Sequence, residues 1–307
     1  MKKWKIYRLT VTSSEAGLRL DRYLAGAVDG LSRVQAKKII DIGGVHLQGR
    51  RVRSCSRAVD GGEQVEVYLD HLPLEPFRFT PDDLVYQDKY LIVLNKPAGI
   101  DTQPTHARYK GTVYEALQVL LQDRFNPQRK HELGMVQRLD RGTTGLMTFS
   151  THPQSHKGLS KLFMDHQVEK RYLALVGGVP QPEQGEIRSL LARTRKENKV
   201  VSVQHGGKEA VTRYRVIETF GCATLVELEL LTGRSHQIRA HMAELGCPLL
   251  GDLRYGGPAE LNHTVFDRPL LHSARLAFLH PVTSEPLEFE TKLPLDMANM
   301  CRQLGGE

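Results

Sequence analysis

The sequence predicts an α+β protein of two domains, the larger of which contains a mixed, largely antiparallel sheet. Three observations favour this class. Alternation of apolar and polar residues, typical of strands, is more frequent in the second part of the chain than helical periodicity. Pro73, Pro76 and Pro81 mark a change of character after a basic first part. The length of 307 residues allows a small domain beside one of more than roughly 200 residues.

The composition limits the class of function. The net charge of +7 favours a polyanionic partner. The four cysteines are scattered and form no CxxC pair, so we expect neither a thiolate zinc site nor a disulfide framework, and no metal. The sequence has no apolar run of membrane-spanning length and no signal-like segment at its N-terminus, so we expect a cytoplasmic protein without a membrane partner.

Residues 1–72 are predicted to form the first domain, which begins with a strand. In the stretch LSRVQAKKIIDIGGVHLQGRRV, Ser32 and Gln35 match a capping box and Gly43-Gly44 is a typical helix stop, after which a hairpin is expected. The basic residues of the helix and the hairpin would lie side by side: Arg33, Lys37, Lys38, Arg50 and Arg51. They form either a solvated face or a surface for RNA phosphates, and their single sign of charge favours RNA.

Residues 73–82 are predicted to be an extended linker, and residues 83–307 the second domain. A helix with a capping box from Thr112 to Glu115 is expected first. Further helices are expected near 155–167 and 235–245. The expected strands are GLMTFS, KRYLALVGG, EAVTRYRVIETF, ATLVELELLT and PLEFETKLP.

The stretch QRLDRGTTGLMTFS places Asp140 between Arg138 and Arg141, just before a strand. Asp140 is either a turn residue satisfied by its neighbours or an ionised carboxylate kept at low pKa by nearby cations. The second interpretation would provide a permanently available nucleophile or base. The sequence has no GxxxxGK[ST] loop, GxGxxG loop or GxSxG elbow, so this stretch is the best candidate for catalysis.

Two further segments are candidates. Arg234, in LLTGRSHQIRAHM, is predicted at a strand-to-helix junction, where functional groups are common, although a plain surface arginine is the alternative. Tyr172, in VEKRYLALV, follows Lys170-Arg171 at the start of a strand. Taken alone, Tyr172 is better explained as a packed strand residue than as a catalytic group.

Taken together, these segments resemble a known family. LIVLNKPAG, QRLDRGTTGL, VEKRYLALV, LLTGRSHQIRAHM, PLLGDLRYG and LLHSARLAFLHPVT occur in the order found in RluA-type RNA pseudouridine synthases. The resemblance covers almost the whole chain and includes an N-terminal alpha-L RNA-binding domain, related to one in a small-subunit ribosomal protein. It implies an isomerase that converts uridine in RNA, most often large-subunit ribosomal RNA, to pseudouridine without a cofactor or an obligate protein partner.

The resemblance also implies roles for single residues. Asp140 matches the catalytic aspartate, Arg234 its ion-pair partner, Tyr172 the residue that stacks on the target base, and Arg138 the arginine that occupies the gap left by the flipped nucleotide. The segment departs from the family pattern at Gln137, where histidine is usual, at Gly142, where an acidic residue is usual, and at Gln103-Pro104, where a His-Pro pair is usual.

Other functions remain open at this stage. The same enzyme could act on transfer RNA, or the chain could be a non-catalytic RNA-binding or ribosome-assembly factor. Retention of Asp140, Tyr172 and Arg234 together speaks against the non-catalytic alternative. A glycosidase or a nuclease is less favoured, since the sequence offers no convincing second carboxylate and no cluster of metal ligands.

Overall fold

A computed structural model describes residues 5–122, 132–194 and 199–305. Two compact units are present, Met1–Pro81 with Ile100–His131 and Asp82–Gly99 with Glu132–Glu307. Residues 100–122 thus group with the N-terminal part of the chain, whereas the sequence predicts them in the second domain. The predicted boundaries at residues 72 and 83 stay a prediction. The predicted α+β class with a mostly antiparallel sheet is confirmed.

The first unit contains a four-stranded antiparallel sheet in the order β1-β4-β2-β3, with helices beside it. The predicted N-terminal strand is confirmed from Lys5 onward, and residues 1–4 lie outside the described residues. The elements are β1 (Lys5–Thr10), α1 (Leu20–Ala27), α2 (Arg33–Ile42), β2 (Val45–Leu47), β3 (Arg50–Arg51), β4 (Gln64–Leu69) and α3 (Val113–Leu120).

Helix α2 begins and ends as its sequence predicts. The Ser32 side chain accepts a hydrogen bond from the Gln35 amide, and the Gln35 side chain accepts one from the Ser32 amide. Gly43 ends the helix with a φ of 96°, a conformation that glycine adopts without a steric penalty. Ala36, Ile39 and Ile40 are buried in the core of the unit, while the basic residues of the helix are exposed.

Residues 100–111 pack against the first unit through polar contacts. Arg108 and Asp70 form a buried bidentate ion pair at 2.9 and 3.2 Å. The amides of Tyr109 and Lys110 donate to the Ile42 carbonyl, and a ring nitrogen of His46 lies 3.0 Å from the His106 carbonyl. Removing one partner of such a buried pair leaves an uncompensated charge and strongly destabilises the protein. The segment is therefore an integral part of this unit.

The second unit is built on an extended sheet in the order β11-β10-β12-β13-β9-β16-β8-β6-β5, with β17 on β16 and β7 on β8. Only β8 and β16 pair in parallel among the described strands. The strands are β5 (Leu84–Gln87), β6 (Leu91–Lys96), β7 (Gly134–Met135), β8 (Thr144–Ser150), β9 (Glu169–Gly177), β10 (Gln184–Arg193), β11 (Val200–Val203), β12 (Lys208–Thr219), β13 (Ala223–Leu230), β14 (Glu260–Leu261), β15 (Thr264–Val265), β16 (Leu271–Leu279) and β17 (Pro286–Glu290).

Three helices cover this sheet: α4 (Pro153–Met164), α5 (Gln237–Glu244) and α6 (Leu295–Gly305). Leu159 of α4 packs into an apolar cluster with β6, β8 and β16. Ala240 of α5 packs near β10 to β12, and Met297 and Met300 of α6 pack against β9 and β13. The helices predicted near 155–167 and 235–245 are confirmed with slightly different ends. Within the described ranges, every helix is too short or too polar to cross a bilayer.

Candidate active site

Asp140 lies in the loop between β7 and β8, at the point where β8 enters the sheet. The loop closes as a turn in which the Thr143 amide donates to the Asp140 carbonyl at 3.0 Å. Two glycines permit this path. A Cβ on Gly142 would lie 3.0 Å from the Pro269 ring, and one on Gly145, where φ is 109°, would lie 2.2 Å from the Ser273 carbonyl oxygen. The close approach of the Pro269 and Arg268 side chains therefore disfavours a larger residue at Gly142, where an acidic residue was expected.

Lys96, the last residue of β6, fixes the same loop from inside the protein. Its side chain is fully buried. Its Nζ donates to the carbonyls of Pro97, Asp140, Arg141 and Thr143 at 2.9 to 3.3 Å. The Asp140 and Arg141 carbonyls also accept from the amides of Thr143 and Gly99, so the Lys96 amine adds a second donor to them and supplies the carbonyls of Pro97 and Thr143. The backbone of the Asp140 turn is thus held in place.

Arg239 of α5 binds the Asp140 carboxylate. Its Nη1 lies 2.9 Å from Asp140 Oδ2, while its Nε and Nη2 hold both oxygens of Asp252 at 2.6 and 2.7 Å. The Tyr255 ring lies under the guanidinium, 5.0 Å from its centre. Asp252 is only 1% exposed, so it orients Arg239 rather than facing solvent. The bidentate pair therefore points the remaining nitrogen of Arg239 at Asp140.

The prediction that Arg234 is the ion-pair partner of Asp140 is wrong. Arg234 precedes α5, and its Nε donates to the Glu209 carbonyl at 2.8 Å, while its amide donates to Gln237. The predicted strand-to-helix position of Arg234 is confirmed, since β13 ends at Leu230 and α5 begins at Gln237. Arg239 lies inside α5 on its buried side, and this position brings its guanidinium to the carboxylate.

His236 is the second group beside Asp140. Its Nε2 lies 3.7 Å from Asp140 Oδ2, and its Nδ1 is 3.0 Å from the Tyr255 hydroxyl, which also contacts the backbone of Val200. His236 has a φ of 52°, a left-handed conformation that is uncommon outside glycine and is often found at functional sites. Burial lowers the pKa of His236 to about 4. The ring is therefore neutral at neutral pH.

The Asp140 carboxyl is ionised at neutral pH. Burial alone would raise its pKa, but His236, Arg239 and Lys96 lower it below the usual value. Because His236 is neutral near pH 7, we attribute the lowering at that pH chiefly to Arg239, which also donates a hydrogen bond. Asp140 is 32% exposed, so the charged group is both stabilised and accessible.

Tyr172 lies on β9, beside Ser273 of β16. Its ring is only 6% exposed and its hydroxyl forms a hydrogen bond with the Ser273 side chain. Burial and the negative charge of Asp140 raise the pKa of Tyr172 to about 12, while the Ser273 hydrogen bond opposes this. The phenol is therefore protonated at neutral pH, and a direct stacking role would use the small part of the ring that is exposed.

The other predicted site residues differ in how exposed they are to solvent. Arg138 is exposed next to Asp140 in the chain, and Arg33, Lys37, Lys38 and Arg50 are exposed in the first unit. Arg51 is partly buried, its guanidinium donates to the Thr105 carbonyl, and burial lowers its pKa. Arg51 is thus less available to a phosphate than its neighbours. Gln137, where histidine was expected, has a buried Nε2 without a hydrogen-bond partner among the described residues.

Sequence reasoning missed Lys96, His236, Arg239, Asp252 and Tyr255. All five belong to segments that carried the family resemblance, so a signal was present. The sequence did not show that they are buried around one carboxylate, because four separate stretches of chain meet there only after folding. Asp252 is a second carboxylate, but Arg239 lies between it and Asp140. No described group of three or more His, Cys, Asp or Glu residues is arranged to hold a metal ion.

Known proteins are similar to this chain over much of its length. A family model described as RNA pseudouridylate synthase matches residues 90–244. The ribosomal large subunit pseudouridine synthase D of Zymomonas mobilis is 35% identical, over 97% of this chain and 97% of its own. A protein of the same name in Vibrio parahaemolyticus is 35% identical, over 96% of this chain and 93% of its own. The structure of human RNA pseudouridylate synthase domain containing 4 is 26% identical, with a TM-score of 0.60 over 73% of this chain and 93% of that chain.

Proposed function

The chain belongs to the RluA-type family of RNA pseudouridine synthases, and we propose that it isomerises uridine in large-subunit ribosomal RNA with Asp140 as its catalytic carboxylate. One observation carries the assignment to Asp140. The partly exposed Asp140 carboxylate is held by its Oδ2 at 2.9 Å from Arg239 Nη1, and the guanidinium of Arg239 is itself fixed by Asp252. The choice of ribosomal RNA is supported by the names of the two bacterial relatives that match the chain over nearly its whole length.

The reaction needs an ionised group at the glycosidic bond and no redox partner. The C1′–N1 bond breaks, the base turns, a C1′–C5 bond forms, and the proton on C5 is lost while N1 gains one. Atoms and electrons balance within the nucleotide. An ionised Asp140 suits attack on the sugar, attack on the base, or removal of a sugar proton, and the proposal does not depend on which of these occurs.

Tyr172 and Arg138 complete the proposed site. With a pKa of about 12, Tyr172 contacts the base as a neutral phenol and does not accept the C5 proton in its resting state. Arg138 is exposed beside Asp140, as required of a side chain that fills the space left by a flipped nucleotide. Unstacking a nucleotide costs about a few kcal/mol, and contacts of this kind offset that cost.

RNA binding is proposed to involve the exposed basic residues of the first unit. Arg33, Lys37, Lys38 and Arg50 lie on α2 and the following hairpin, and phosphate contacts by such residues give affinity without sequence choice. Arg51 is left out of this set because its guanidinium is turned to the Thr105 carbonyl.

The first test is pseudouridine mapping of total RNA from cells that lack the gene and carry wild type, Asp140→Asn or Asp165→Asn. Asp165 is exposed at the end of α4, so its substitution removes one charge away from the site. We expect a site in large-subunit ribosomal RNA to disappear with the gene and to return with wild type and Asp165→Asn only. Affinity of Asp140→Asn for RNA should stay within about tenfold of wild type, since phosphate contacts dominate binding.

The other outcomes distinguish the alternatives. A changed site in transfer RNA would support the proposed isomerisation and would show that the substrate is transfer RNA rather than ribosomal RNA. No changed site with any variant would favour a non-catalytic RNA-binding or assembly factor. Return of the site with Asp140→Asn would exclude the proposed catalytic role of that residue.

A further inference from the structure

Asp21, in the first turn of α1, is the centre of a cluster of cations in the first unit. Its side chain is completely buried. Arg19 holds it through Nε and Nη2 at 3.1 and 3.2 Å, Arg33 through Nε at 3.1 Å, and Lys37 Nζ lies 4.0 Å away. Arg19 precedes α1, whereas Arg33 and Lys37 belong to α2. One carboxylate therefore joins cations from two separate segments.

The cluster contains more positive charge than the carboxylate requires. One cation would neutralise Asp21, and three leave an excess of two positive charges. The side chains of Arg19, Arg33 and Lys37 are 46%, 53% and 51% exposed, so this excess faces solvent. Arg33 uses only its Nε on Asp21, and its two terminal nitrogens make no hydrogen bond with any residue in the described ranges. The cluster thus presents unused donors held at fixed positions.

Asp21 is ionised while it holds the three cations. Burial alone would raise its pKa, but the hydrogen bonds and charges of Arg19 and Arg33 lower it below the usual value. The site also lies near the N-terminus of α2, where Ser32 caps the helix and the helix dipole adds partial positive charge.

We propose that Asp21 assembles Arg19, Arg33 and Lys37 into one preformed site for an RNA backbone phosphate, and that it strengthens RNA binding although it is negatively charged. This inference rests on the proposed function, because it takes RNA as the partner of this surface. It adds Arg19 to the proposed contacts and makes Asp21 a positioning residue.

The physical reason is preorganisation. Free lysine and arginine side chains lose much rotamer freedom when they order on a ligand, and this loss weakens binding. Asp21 orders the three side chains before RNA arrives. Its own charge is buried behind them and the phosphate meets the guanidinium groups first, where planar donors suit phosphate oxygens. Simple charge counting predicts the opposite, that removing a negative charge tightens binding to a polyanion.

The experiment compares the full-length chain with Asp21→Asn and Asp29→Asn. Both substitutions remove one negative charge from the first unit, but Asp29 is exposed and pairs with no cation among the described residues. Binding to a transcript of a large-subunit ribosomal RNA domain is measured by fluorescence anisotropy across a salt series. We expect Asp21→Asn to weaken binding about fivefold to tenfold and to reduce the salt slope by about one unit, as for one lost phosphate contact. Asp29→Asn should bind as wild type or slightly more tightly.

Equal or tighter binding by Asp21→Asn, with wild-type circular dichroism, would overturn the proposal. If Asp21→Asn fails to fold, Arg19→Gln is the variant that tests the proposal. Arg19 is half exposed, so its replacement should leave the fold intact and weaken RNA binding as much as Arg33→Gln does. Unchanged binding by Arg19→Gln would also overturn it. Isomerisation is measured separately at saturating RNA, where the control Asp29→Asn should match wild type. An inactive wild type would contradict the proposed function and leave the binding comparison valid.

Discussion

At the scale of single residues, Arg239 sets the charge state of the candidate site. We expect Arg239→Gln to lower the isomerisation rate at neutral pH by about 100-fold or more, since Asp140 then loses its hydrogen-bonded cation and only the more weakly acting Lys96 opposes the effect of burial. In wild type, the pKa of Asp140 is below its usual value. Without Arg239 it rises, so the acidic limb of the rate profile should move toward neutral pH. Rates between pH 4 and 9 at saturating RNA measure this shift.

Arg234→Gln is the matched control, because it removes an arginine five positions earlier whose Nε donates only to a backbone carbonyl. Its profile should keep the acidic limb of wild type. Arg239→Lys keeps the charge and loses the bidentate grip on Asp252, so it should restore part of the pH profile. Equal effects of Arg234→Gln and Arg239→Gln on the acidic limb would contradict the assignment of the ion pair.

The two arginines also show what sequence could predict about the site. The low pKa of Asp140 beside cations agrees with one of the two interpretations of its stretch, while the catalytic role of Asp140 stays a prediction. Its ion-pair partner was predicted wrongly, since GRSHQIR contains two arginines and pairing depends on which face of α5 packs toward the loop. Thr232 and Gln237 set that face, because they hydrogen-bond to each other and to β12 at the start of α5. Such contacts between distant segments cannot be inferred from local sequence patterns.

At the scale of elements, Lys96 joins the end of β6 to the loop before β8. We expect Lys96→Met to lower the free energy of unfolding by about 2 kcal/mol or more, because the carbonyls of Pro97 and Thr143 lose their Lys96 donor and a buried acceptor without a donor costs about 1–3 kcal/mol. Methionine fills a similar volume, so a cavity contributes little. Urea unfolding followed by circular dichroism measures the change. Lys89→Met, at an exposed position before the same strand, should change stability by less than about 0.5 kcal/mol.

A small effect of Lys96→Met on stability would mean that water replaces the amine at the four carbonyls. The loop would then also be looser, and the isomerisation rate would fall without a change of stability. An unchanged stability together with an unchanged rate would contradict the positioning role of Lys96.

Elements were predicted best where neighbouring residues in the sequence determine where they begin and end. The two ends of α2 follow from Ser32, Gln35 and Gly43. The capping box predicted at Thr112 is only half formed, because the Glu115 side chain accepts from the Gly111 amide instead of the Thr112 amide. The strands β10 and β11 were not predicted. They lie at the far edge of the sheet, where β10 pairs with β12 and β11 pairs with β10, and short stretches of sequence do not encode such contacts.

At the scale of the whole molecule, the two segments of the first unit, residues 5–81 and residues 100–122, depend on each other. Deleting residues 1–72 is an obvious way to test RNA binding by the basic surface, yet it would remove Asp70 and leave Arg108 as a buried cation without its carboxylate. The deletion would also remove Ile42 and His46, to which residues 106–110 are hydrogen-bonded, so it would change the structure of the remaining chain as well as its charge. Single substitutions of exposed residues are therefore the sounder test of the surface.

Acid should destabilise the whole protein through its buried histidines. Burial lowers the pKa of His236 and of His272 to about 4, and it lowers the pKa of His46 and His241 as well. In the unfolded chain these rings titrate near 6.5. Between pH 6.5 and about 4 the unfolded state therefore binds more protons than the folded state, so stability falls as pH falls through this range. Each histidine contributes up to about 1.4 kcal/mol per pH unit.

His272→Gln tests this prediction without a charge change at neutral pH. Its ring nitrogens contact the hydroxyls of Thr144 and Thr291 at 2.8 and 2.9 Å, and glutamine can keep one of these contacts. Urea unfolding between pH 5 and 6.5 avoids the range in which carboxyl groups titrate in the unfolded chain. The slope of stability against pH should be smaller for His272→Gln by up to about 1.4 kcal/mol per pH unit, whatever its stability at pH 7. His205→Gln, at an exposed position, should keep the wild-type slope. The same slope for all three proteins would mean that His272 is protonated equally in the folded and unfolded states. That result would contradict the conclusion that its ring is buried and neutral beside Thr144 and Thr291.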